Sequence, residues 1–193
     1  MINQDAFFGT GTYDQVFKVK CQNGATAALK IVPEHLSLAE AESNTLQAAK
    51  NTGDVVTVLQ PHAEINNGGG GAFVIAPVGK PVEQATLSKA RIFDITEVLF
   101  KLHSAGFLHA DPCLSNLIFD DKKFLWIDFM FSASTLKSGW ITDAPILSQS
   151  ILGQPNNSNL PDEIVRLISE YGSEKTLESC KQLAEELWKE YLN

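Results

Sequence analysis

At Pro81 the apolar residues change period, and that change limits the folds open to the chain. Ahead of it, "AFFGTG", "QVFKVKC" and "TAALKIVP" are short β-prone runs, the last two joined by the turn "QNGA". Residues 37–50, "SLAEAESNTLQAAK", are rich in strong helix formers. The extended runs "VVTVLQPHAEI" and "GAFVIAPVG" follow, separated by "NNGGGG" (66–71), which reads as a mobile hairpin loop. It has no Lys or Ser/Thr at P-loop spacing, so no phosphate role is assigned to it. Beyond Pro81, Ile92, Ile95, Leu99 and Leu102 fall on one helical stripe, and Gly106 stands where a glycine would stop that helix. Two small strands, "LIF" (117–119) and "FLWI" (124–127), flank the turn "DDKK". Helices are expected from about Asp143, over "PDEIVRLISEYG", and over "KTLESCKQLAEELWKEYL", where Leu177, Ala184, Leu187 and Tyr191 form an apolar stripe read as core. Strands followed by helices predict an α+β fold: a small β-sheet region with one helix over about 1–79, and a mainly helical region over 80–193.

The totals narrow the function classes. A chain of 193 residues can form one sizeable domain or two small lobes sharing a cleft. Its formal charge of −8 argues against a nucleic-acid or anionic-membrane surface. No apolar run approaches the roughly 20 residues that span a bilayer. Cys21, Cys113 and Cys180 are odd in number and lack CxxC spacing, so neither a zinc motif nor a disulfide framework is expected, and a reducing compartment is the default. The first residues lack the basic and apolar segments of a signal peptide. An intracellular, cytoplasmic location is expected. Gly9 comes so early that the sequence leaves open whether the chain is a fragment, and it carries no signal of oligomeric state.

Chemistry concentrates in "HADPCLSN" (109–116) and in "FLWIDFM", where Asp128 stands among large apolar residues. An acid is costly to bury there without a partner. The oxygens of Asn116 and Asp128, one after a tight loop and one at a strand end, suit Mg2+. Asp111 on the same loop could accept a proton from an attacking hydroxyl. Together these point to phosphoryl transfer, which also requires a turn over phosphates, a lysine on an interior strand and an acid to hold it. "GTGTYDQV" supplies Gly9 and Gly11 with Val16 beyond, "AALK" supplies Lys30, and Glu42 lies in the next helix. At the end of "FVIAPVG", Pro77 has no N–H, so a purine would bond the Ala76 carbonyl and the Val78 amide.

In this order the motifs resemble the protein-kinase-like superfamily over about residues 6–145. "GTGTYDQV" resembles the glycine-rich loop, "AALK" the V-A-I-K strand, "HADPCLSN" the H-R-D-x-x-x-x-N loop and "DFM" the D-F-G motif. The resemblance implies a two-lobed fold and ATP and Mg2+ as cofactors. It implies Lys30 on the α/β-phosphates, Asp111 as catalytic base, and Asn116 and Asp128 as metal ligands. Gly9, Gly11, Val16, Ala76 and Val78 would line the nucleotide. Glu42 is favoured over Glu40 as the partner of Lys30, because residues two apart cannot both face it and Leu46 follows Glu42 at i+4.

The departures from the pattern are specific. Asp14 stands for the third loop glycine, which would stiffen the loop and bring a negative charge near the phosphates. Ala110 replaces the arginine of H-R-D, Met130 replaces the glycine of D-F-G, and no A-P-E follows, although Asp143 could brace the catalytic loop. Cys113 and Ser115 occupy positions where typical kinases carry Lys or Arg. "HAD" followed by small residues is similar to RIO-type atypical kinases and to aminoglycoside and choline phosphotransferases. "VIAPVG", "HADP" and "WIDF" are similar to short fungal and oomycete kinase-like sequences, Crinkler-type effectors among them. A minimal kinase acting on a hydroxyl is expected, with a protein Ser/Thr acceptor slightly favoured over a small molecule. The rivals are a pseudokinase that binds nucleotide as an interaction module, and a structural domain without nucleotide. Taken singly, Asp111–Pro112 would read as a turn, Asn116 as a cap and Lys30 as a solvated strand residue. His109 is read as a packed histidine under the loop; His35, His62 and His103 receive no role. Cys113 is read as either a reactive thiol or a small packed side chain.

Overall fold

The alternating runs of the first half form a five-stranded antiparallel sheet in a computed structural model that describes residues 7–65, 69–130, 133–134 and 140–193. Its strands are β1 (Phe7–Thr10), β2 (Gln15–Lys20), β3 (Thr26–Val32), β4 (Thr57–Ile65) and β5 (Gly70–Ala76), in the order β1-β2-β3-β5-β4. Cross-strand partners share a face, so the register Ala28↔Ile75, Lys30↔Phe73 and Val32↔Gly71 puts these residues on one side. That side is covered by α1 (Leu36–Ala49), whose buried stripe is Ala39, Glu42, Ser43, Leu46 and Ala49. Lys30 therefore lies on the covered face of a central strand rather than in solvent.

One feature of the sheet corrects the reading of the sequence. Of "NNGGGG", 66–68 lie outside the described residues, but Gly70 and Gly71 are buried strand residues of β5, not loop. The reason is close approach: a Cβ on Gly71 would come 2.5 Å from the Ala39 Cβ of α1. β4 accommodates Pro61 because it is an edge strand with irregular pairing between Gln60 and Ala63. There the backbone N–H of His62 donates to Ser43 Oγ at 3.3 Å.

The chain divides into two compact units: residues 7–79 with 128–130, and residues 80–127 with 133–134 and 140–193. In the second, α2 (Lys89–Ser104) begins at Ser88, whose hydroxyl accepts from Arg91 N, and ends before Gly106 at φ 89°. After β6 (Lys80–Pro81) and β7 (Phe107–Leu108), β8 (Leu117–Phe119) and β9 (Phe124–Trp126) form the expected hairpin. Asp120 Oδ1 accepts from the Lys122 and Lys123 amides in its turn. β10 (Ala133–Ser134) pairs with β7, and α3 (Trp140–Ile151), α4 (Asp162–Glu174) and α5 (Leu177–Tyr191) complete the unit. The third-last helix starts at Trp140, three residues before the expected Asp143. α5 packs on α2 and α4 through Cys180, Leu183, Ala184 and Leu187, whereas Leu177, expected in its core stripe, is exposed. Leu177 is the first residue after the Thr176 cap, where the helix has only begun to turn inward. Among the described residues no helix is long and apolar enough to cross a membrane.

Candidate functional site

Lys30 is buried in the first unit. Its ammonium lies 2.8 Å from Glu42 Oε2, 2.8 Å from Asp14 Oδ2 and 3.1 Å from Asp128 Oδ1. β3 carries the lysine and α1 presents Glu42, which is fully buried; Glu40 is exposed and turned elsewhere. Asp128 arrives on the segment after β9, with φ 65°, and the next amide, Phe129 N, donates to Glu42 Oε1 at 3.3 Å. Three carboxylates surround one cation. Burial works against the ammonium, but the charges of Glu42, Asp128 and Asp14 outweigh it and hold Lys30 above its ordinary value. Burial pushes the Glu42 carboxyl up to about 7, with Lys30 pulling against it and the Asp128 charge adding to it.

The contact between Asp14 and Lys30 was not expected. Asp14 lies on the turn between β1 and β2, is buried, and accepts the Gly11 amide on Oδ1 at 3.1 Å while Oδ2 holds the lysine. Its charge is thus compensated by Lys30. Gly9 and Val16 pair across the same hairpin, and Val16 is in register with Lys30 on β3. Ala76 ends β5 and Val78 follows two residues later, half-buried.

The second unit holds the loop with Asp111 and Asn116. Asn116 Nδ2 donates to the Asp111 carbonyl at 2.9 Å and to its carboxylate Oδ2 at 3.0 Å, so the two candidate residues are locked together. Asn116 O accepts Ile127 N at 3.0 Å, tying the loop to the strand pair. Behind the loop lies Asp143, fully buried on α3, which accepts the His109 amide at 2.8 Å and the Ala110 amide at 3.0 Å. His109 Nε2 donates to the Ile127 carbonyl at 2.8 Å, leaving Nδ1 to accept the Asp111 amide, and its ring packs on Trp126. Ala110 is held at φ 71°, a left-handed conformation that a non-glycine residue adopts at a cost.

His103, to which the sequence reading gave no role, extends this support. Its Nε2 bonds Asp143 Oδ2 at 3.0 Å and its Nδ1 accepts from the Tyr171 hydroxyl at 2.8 Å. Burial pushes the Tyr171 phenol far above its usual range, so it remains the donor. The signal was present: residues 92, 96, 99 and 103 share the buried stripe of α2, so His103 had to find a buried partner. Cys113 Sγ lies 3.0 Å from Ser115 Oγ, and burial pushes its thiol up, which favours a packed side chain over a reactive thiolate.

Carboxylate and amide oxygens of the Asp128 and Asn116 kind are hard donors that suit Mg2+. Among the described residues no group of three or more His, Cys, Asp or Glu side chains is arranged to hold a metal. No protein-family model and no curated protein matches the chain.

Proposed function

We propose that the chain is a minimal atypical kinase that transfers the γ-phosphate of MgATP to a hydroxyl, with a protein Ser/Thr slightly favoured over a small molecule as acceptor. On this reading the two units are the small and large lobes of a reduced protein-kinase-like fold. The observation that carries it is the buried Lys30–Glu42 pair with Asp128 beside it, a costly charge cluster that packing alone does not require. Lys30 would hold the α- and β-phosphates, beneath Gly9, Gly11 and Val16. Ala76 O and Val78 N would bond the purine. Asn116 and Asp128 would hold Mg2+, which supplies charge neutralisation when bound. As the acceptor oxygen bonds to the γ-phosphorus, the β–γ bridging oxygen leaves with ADP, and the acceptor proton passes to the Asp111 carboxylate. Asn116 Nδ2 fixes that carboxylate, and Asp143 fixes the loop beneath it.

A nucleotide-binding module without turnover is the second reading, favoured by the Asp14 carboxylate on Lys30. Following label from γ-labelled ATP into the protein, a generic protein substrate and free phosphate separates the two. Transfer or release by the wild type that is lost in Asp111→Asn supports the kinase. Two equally silent proteins that bind ATP sink it and leave the module.

A further inference from the structure

An ammonium has three N–H donors and no acceptor. Lys30 directs them at Glu42 Oε1 at 2.9 Å, Asp14 Oδ2 at 2.8 Å and Asp128 Oδ1 at 3.1 Å. A phosphate oxygen can reach this lysine only if a carboxylate leaves. Glu42 is the least able to do so: it is on a packed helix, has no exposure, and also accepts Phe129 N. Asp128 is only loosely enclosed, with its side chain 31% exposed, but it is the residue to which the proposed reading gives the cation. Asp14 rides on a hairpin turn and, among the described residues, is tied otherwise through Gly11, whose amide meets both its carboxylate and its carbonyl.

We infer that Asp14 is a resident competitor for the phosphate position on Lys30 and lowers the affinity of the site for polyphosphate. The inference rests on the reading of Lys30 as a phosphate ligand and adds the residue that controls access to it. A bound phosphate replaces one anion by another, so the lysine stays compensated throughout. Asp14 swings out with its turn, and the Gly11–Asp14 tie breaks as the ligand enters. Ligands able to supply several negative oxygens displace it; a nucleoside or a monophosphate carries too little charge to do so.

The experiment is calorimetric titration of MgATP and of MgAMP into the wild type, Asp14→Asn, Asp14→Gly, Lys30→Met and the double variant Asp14→Asn/Lys30→Met, each checked for folding by circular dichroism. Asn keeps an oxygen for the Gly11 amide but removes the charge from Lys30, so it isolates the ion pair from the loop tie. Asp14→Asn is expected to bind MgATP about 10- to 100-fold tighter than the wild type, as for release of a charged hydrogen bond. MgAMP, which does not displace Asp14 in the wild type, is expected to gain no more affinity than MgATP does. The gain must vanish when Lys30 is Met. Equal MgATP affinity in the wild type and Asp14→Asn overturns the inference and leaves the nucleotide reading standing. A gain in Asp14→Gly without one in Asp14→Asn also overturns it, assigning the effect to loop freedom. Folded proteins that bind no MgATP in any form overturn both.

Discussion

Asp14, Glu42 and Asp128 place three acids on one lysine, and the arithmetic of that cluster governs its response to pH and mutation. Glu42 titrates near 7 in the folded chain against an ordinary value of 4.5. Between those values the folded chain holds a proton that the unfolded chain has released, so this group's contribution to stability falls as pH rises through that window. Glu42→Gln should flatten that part of the profile, measured as urea midpoints from pH 4.5 to 7.5; an unchanged slope would mean Glu42 is ionised throughout. Lys30→Met leaves the acids without their cation and should cost about 3–5 kcal/mol, as for a broken buried pair. Ala110→Gly should act in the opposite direction. It relieves a left-handed alanine and should raise stability by about 1 kcal/mol, read from chemical denaturation. Lys30 and Glu42 were legible through the resemblance of "AALK" to the V-A-I-K strand and the Leu46 that follows Glu42 at i+4; taken singly, Lys30 reads as a solvated strand residue. Asp14 was not legible as a lysine partner, since it is in a turn and nothing in a turn's sequence fixes where its side chain points.

At the scale of elements, backbone approach and buried polar support decide the structure. α1 lies so close to β5 that Gly71→Ala would drive a Cβ into Ala39, so overpacking should cost about 1–3 kcal/mol in thermal or urea unfolding. The strands, the turn at "QNGA" and the helix ended by Gly106 were readable because period and turn chemistry are local. Gly70 and Gly71 were misread for the same reason: a glycine run looks like a loop until the helix that needs its missing side chains is in place. Behind the Asp111 loop, Asp143 accepts two backbone amides and His103, which in turn engages Tyr171. Asp143→Ala strands those donors at about 1–3 kcal/mol for each unsatisfied group. His103→Phe should be milder, because the two backbone bonds to Asp143 survive. His103 was on the legible stripe of α2, but the sequence alone named none of its partners, which lie 40 and 68 residues away.

For the molecule as a whole, five strands with one helix precede a mainly helical region, and the division near residue 80 follows the change of apolar period. The proposed kinase function joins what each unit holds separately: a lysine compensated by acids in one, a base candidate locked to an asparagine in the other. The central claim is that Asp111 accepts the proton in a Mg2+-dependent phosphoryl transfer. The most direct measurement is single-turnover consumption of γ-labelled MgATP with protein in excess, comparing the wild type with Asp111→Asn at matched nucleotide occupancy. The account predicts turnover that requires Mg2+ and slows by about 100- to 10,000-fold in the variant, the range for loss of a general base. Equal rates in the two proteins, or no turnover in either with ATP bound, would contradict it.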